Sequence, residues 1–162
     1  MSTVISDAVV SGLEMVSKFF LVDLATLSDE QVTQKANGTA RSPLNFGYEV
    51  VAVAERGLAI IKGEKPEPFD LLEKEGDWVI APASYTRQQL ASDFERVHNE
   101  VIAQFRGKTD EEMMATVDSF FGPGPLFSIG NFLTMHANYH NAQLSYIAQL
   151  GGDLKNHWWS GE

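Results

Sequence analysis

Cysteine is absent from all 162 residues, and that absence removes disulfides, thiolate zinc ligands and a cysteine nucleophile together. Any metal held by this chain must sit on imidazole, carboxylate and water. The lack of disulfides agrees with a reducing, cytoplasmic setting. Positive charge is scarce as well: 12 Lys and Arg face 22 Asp and Glu, leaving a net charge of −10. Such a chain is expected to repel nucleic-acid phosphates and anionic membranes, and no Lys/Arg cluster reverses this locally. The first residues carry Asp7 and Glu14 but no early Lys or Arg, and no apolar run approaches about 18 residues. Neither a signal peptide nor a membrane span is expected.

What is present reads as an ordinary globular composition, 44% hydrophobic and 21% charged. No linker divides it, so residues 1–162 are expected to form one domain. Ile5, Val9, Leu13, Val16, Phe20 and Leu24 recur at spacings of three and four, which predicts a first helix over about Val4 to Leu24. A polar connection from Ser28 to Arg41 follows. Ser42 and Pro43 form an N-cap and first-turn pair that opens a second helix, which runs to about Lys62 and stops at Gly63.

Residues 64–83, with Pro66, Pro68 and Pro82, are too broken for a helix. About 20 extended residues can travel the length of a bundle and set two helices parallel; Phe69, Leu71, Leu72 and Trp78 are expected to pin this crossover. Thr86-x-x-Gln89 is a capping box for a third long helix through Leu90, Phe94, Val97, Val101 and Phe105. Thr109-x-x-Glu112 is another, predicting a short extra helix to about Phe120, ended by Gly122-Pro123-Gly124-Pro125. The aromatic tail Asn156-His157-Trp158-Trp159 is expected to pack back on the bundle or to serve a dimer contact.

The last helix, from Ser128 to Leu150 and closed by Gly151, carries the chemistry. Ile129, Phe132, Leu133, Tyr139, Tyr146, Ile147 and Leu150 are predicted to share its buried face, and His136 and His140 fall inside that face. Imidazoles one turn apart can converge on one ion. Ala137 stands where a zinc protease has Glu, so the His-Glu-x-x-His base is missing. No Gly-x-Ser-x-Gly elbow occurs. Glu95-x-x-His98 lacks the second copy that a di-iron bundle needs, and His98 is expected at the boundary of the core. From its neighbours Phe46, Val50, Val53 and Ile60 alone, Glu49 reads as a flank of the second helix.

The run His136-x-x-x-His140-x-x-Gln143-Leu, then Leu150-Gly-Gly-Asp, resembles the last helix of the DinB-like (DNA-damage-inducible, YfiT-related) family of metalloenzymes. Arg41-Ser42-Pro43, with a ligand position six residues past the Pro, resembles that family's second helix. The resemblance implies an all-α four-helix bundle of up-down-down-up topology, usually dimeric, holding one divalent metal on three His. Two of these correspond to His136 and His140; at the third position stands Glu49. By the same resemblance the ion is zinc or nickel, and the chemistry is Lewis-acid activation of a small-molecule substrate, as in thiol transfer. The alternative is a non-catalytic metal-binding bundle with a vestigial site.

Overall fold

The computed structural model describes residues 1–38, 40–66 and 79–159. Four long helices dominate it: α1 (Val4–Thr26), α3 (Pro43–Ile61), α4 (Arg87–Phe105) and α6 (Phe127–Leu150). Between them lie the short helices α2 (Asp29–Thr33) and α5 (Asp110–Met114) and a two-stranded antiparallel hairpin of β1 (Thr116–Ser119) and β2 (Gly122–Pro125).

Side-chain pairings give the directions. Glu55 meets Arg96 and Lys62 meets Glu100, so α3 and α4 run parallel. Ser6 donates to Phe105 O near the start of α1 and the end of α4, while Phe20 further along α1 stacks on Phe94 further back in α4, so α1 and α4 are antiparallel. Cβ atoms built on Gly12 and Gly130 would touch Thr134 and Val9, so α1 and α6 are parallel. Phe46 stacks on His140 whereas Gly57 faces Leu133, so α3 and α6 are antiparallel. The topology is up-down-down-up. Phe69, Leu71, Leu72 and Trp78 lie outside the described residues.

The predicted apolar stripes of α1 and α4 fill the centre: Leu13, Phe20, Leu90, Phe94, Val97, Val101 and Phe105 are completely buried. Close approach is allowed by glycine at two crossings. A Cβ at Gly47 would lie 2.5 Å from Leu90 Cδ2, and one at Gly130 would collide with Val9 and Phe105. Helix starts follow the capping residues. Ser42 Oγ accepts from Asn45 N, and reciprocal capping boxes join Thr86 to Gln89 and Thr109 to Glu112.

Four expectations are corrected. The connection after α1 contains α2, opened by a third capping box between Ser28 and Gln31. The helix begun at Thr109 ends at Met114 rather than near Phe120, and the hairpin follows. Its register pairs Ser119 with Gly122 and Val117 with Gly124, leaving Pro123 and Pro125 opposite Asp118 and Thr116. In an antiparallel ladder donating and non-donating pairs alternate, so the prolines occupy positions that need no N–H. His98 is only 1% exposed, not a boundary residue, because α4 turns it in beside Phe94. Finally, Tyr139, Tyr146 and Leu150 face outward: α6 packs on α1 and α3 through Ile129, Leu133, Ala137, His140, Leu144 and Ile147.

Candidate metal centre

Glu49 sits two turns into α3, and His136 and His140 occupy successive turns of antiparallel α6. The crossing brings all three to one point. Glu49 Oε1 is 3.2 Å from His136 Nε2 and 3.6 Å from His140 Nε2, and one ligand atom from each residue lies within 4.8 Å of the others. Two donors each about 2.0–2.1 Å from a tetrahedral ion stand about 3.3 Å apart. The Glu49–His spacings match that requirement, and two imidazoles with one carboxylate suit a divalent ion. Among the described residues this is the one cluster of His and acidic groups with such convergence.

The surroundings fix the donors. His140 is buried, its ring stacked on Phe46 at 5.2 Å and met edge-on by Tyr139 at 4.9 Å. Its Nδ1 donates to Gln143 Oε1 at 2.8 Å, since an amide oxygen can only accept. The proton is thereby held on Nδ1, and the Nε2 lone pair is left for an ion. Phe132 stacks on His136 at 5.7 Å. His136 and Glu49 keep 15% and 13% of their side-chain surface open, so solvent reaches one edge of the set.

Glu49 divides its two oxygens. Oε1 faces the imidazoles and Oε2 accepts from the Arg41 guanidinium. Burial alone would push this carboxyl up. The hydrogen bond from His136 and the Arg41 guanidinium outweigh burial and hold it far below the ordinary carboxylate range. The carboxyl of Glu49 is therefore ionised at neutral pH.

All three residues predicted as ligands are thus brought together, while Glu95 and His98 do not join them. Glu95 is exposed on α4. His98 donates from Nδ1 to Phe94 O at 3.1 Å, and its buried Nε2 has no hydrogen-bond partner among the described residues. Burial, together with the charge of His136, pushes the ring down to about 4, against the bond to Phe94. Two residues that stand in the quoted motifs have supporting roles that escaped the sequence reading. Gln143 follows His140 by three positions, a helical neighbour spacing that could have flagged it. Arg41 precedes Glu49 by eight residues across a helix start, where no periodicity applies.

Two solved structures share this fold. A conserved protein from Enterococcus faecalis superposes with a TM-score of 0.70 at 13% identity, over 93% of this chain and 97% of that one. A DinB-like protein from Bacillus cereus ATCC 10987 gives 0.66 at 17% identity, over 90% and 92%. No family model matches the sequence, and neither does any curated protein. The fold is therefore DinB-like, and at these identities the likeness extends to the fold alone.

Proposed function

We propose that this chain is a metal-dependent enzyme of the DinB-like kind, with one divalent ion held by Glu49 Oε1, His136 Nε2 and His140 Nε2. The observation that carries this reading is the convergence of three such donors at spacings that suit a shared ion, with one edge open to solvent. A divalent ion held by these residues would supply Lewis acidity, which lowers the pKa of a coordinated water or thiol. Zinc or nickel suits a nitrogen and oxygen donor set without thiolate.

The chain's own residues do the rest. Gln143 holds the His140 tautomer, Arg41 keeps the Glu49 carboxylate ionised and aimed, and Phe46, Phe132 and Tyr139 wall the imidazoles with apolar rings. A small-molecule substrate would reach the open edge between His136 and Glu49. The reaction class we favour is transfer or activation of a low-molecular-weight thiol.

The test is metal analysis of untagged protein beside His136→Ala. About one divalent ion per chain is expected in the wild type and a loss in the variant; an unloaded wild type, or equal loading of both, overturns the site. Loaded protein should accelerate consumption of a small thiol by an activated electrophile. Full loading without turnover would leave a metal-holding bundle in place of an enzyme.

A further inference from the structure

Glu49 begins a stripe on α3 that runs on past the metal centre. Val53, Arg56 and Ile60 follow it at spacings of four, seven and eleven, each half-buried, so at about 100° per residue the four share one face. α6 is antiparallel, and the same direction along it leads from His136 back to Phe132, which stacks on His136 and is covered by Phe120 at 4.8 Å. The stripe ends in a cleft of about 640 Å³ between the end of α3 and the hairpin. Small-molecule sites occupy about 300–1,000 Å³. Among the described residues Ile60, Val117 and Phe120 give the cleft half-buried apolar walls, and Arg56 lies among them. Ser119 keeps its hydroxyl within the hairpin, donating to Gly122 O at 2.6 Å. Glu64, Lys65 and Asp118 are exposed at the rim, where water and salt screen them.

We infer that this cleft holds the carboxylate of a small-molecule substrate on Arg56, while the other end of that molecule reaches the open edge between Glu49 and His136. A guanidinium grips a carboxylate through two parallel N–H donors, and the bond is stronger where apolar walls thin the water around it. One half-buried cation matches one negative charge. A phosphate would set its second charge against Glu64 and Asp118, with Lys65 offsetting only one of them, in a chain whose net charge is already −10. The apolar walls suit a hydrocarbon body behind the carboxylate.

Spacing sets the length of the molecule. Seven residues of helix separate Glu49 from Arg56, about 10 Å along the axis, and both side chains lean toward the helix N-terminus, which preserves the interval. A chain of about eight single bonds, each about 1.5 Å, spans it when extended. That the far end of the substrate meets an ion rests on the proposed function; the carboxylate subsite itself does not.

Calorimetric and chemical-shift titrations of the full chain with three probes test the two parts separately. Mercaptooctanoate should bind zinc-loaded protein at least about tenfold more tightly than mercaptooctanol, its uncharged counterpart. Arg56→Met should erase that difference with zinc content unchanged, and Arg56→Lys should keep part of it. Octanoate, which has no thiol, should bind chelated protein with a dissociation constant on the order of millimolar and lose that binding in Arg56→Met. If zinc fails to load, or neither thiol binds while octanoate does, the metal reading falls and the carboxylate subsite stands. Equal binding of the acid and the alcohol by loaded wild type overturns the subsite. So does octanoate that fails to bind, or that binds folded Arg56→Met as well as wild type.

Discussion

Glu49 and Asp23 carry the same functional group in similar seclusion, and their surroundings treat it in opposite ways. The Glu49 side chain is 13% exposed and Asp23 is 4% exposed. Around Glu49 a hydrogen bond from His136 and the Arg41 guanidinium hold it well below the usual carboxylate range. Around Asp23 burial dominates and raises the carboxyl, with Trp158 and His157 opposing it only in part. Asp23 Oδ2 accepts from the Trp158 indole N–H at 2.9 Å and, with its amide nitrogen turned inward, from Asn141 at 3.0 Å. Those donors are neutral. A neutral hydrogen bond satisfies a buried oxygen without strongly favouring its ionised form, whereas a cationic partner favours the anion outright. Glu49 is thus held as an anion, and Asp23 is a pin joining α1, α6 and the C-terminal tail, whose Trp158 stacks on Phe19 at 4.5 Å.

The most direct way to break the comparison is an amide exchange at both sites. Glu49→Gln should lower zinc affinity by at least about a hundredfold, since it removes a charged ligand and leaves Arg41 beside a neutral amide. Asp23→Asn should leave affinity unchanged. Glu49→His should bind nearly as well as wild type, because imidazole is an equivalent donor. Calorimetric titration of the chelated proteins measures all four; equal affinities throughout would remove Glu49 from the ligand set.

His98 sharpens the comparison as a buried group with no charged partner in hydrogen-bond contact. Its folded pKa, about 4, lies below the ordinary 6.5, so the unfolded chain takes up the proton first. The stability it contributes is complete above pH 6.5 and is lost as pH falls toward 4. The loss amounts to about 3 kcal/mol. His98→Leu should remove that part of the acid sensitivity, and at neutral pH it should cost little because it deletes an unsatisfied acceptor. Urea denaturation of chelated wild type and variant across this range gives the difference; parallel curves would show that His98 ionises in the fold as readily as in the open chain.

The long helices could be read from local chemistry because their stops and starts are local: Ser42 with Pro43, Thr86 with Gln89, Gly63 after α3. The hairpin could not. Gly-Pro-Gly-Pro reads as a breaker until a register is known in which both prolines fall on non-donating positions. The two His were visible from their one-turn spacing. Glu49 came into view only by resemblance, because its partners lie 87 and 91 residues away on a helix whose direction depends on the crossover. Tyr139 and Tyr146 were misplaced for a related reason: periodicity counts apolar residues but cannot say which of two apolar faces a single chain fills.

The smallest effect carries the sign of the contrast between the two carboxylates. Glu49 is depressed below its unfolded value of 4.5, so its contribution to folding is present above that value and is lost as pH falls below it. Asp23 is raised above 3.8, so its contribution is complete below 3.8 and is lost as pH rises through the higher folded value. In chelated protein, the stability of wild type relative to Glu49→Gln should therefore rise between pH 3.5 and 6. Relative to Asp23→Asn it should fall over the same interval. Each change is expected to be about 1 kcal/mol, since both carboxylates keep some contact with solvent. Paired urea titrations at half-unit steps would resolve them. Slopes of the same sign would mean that burial, and not the charge of the hydrogen-bonding partner, governs both groups.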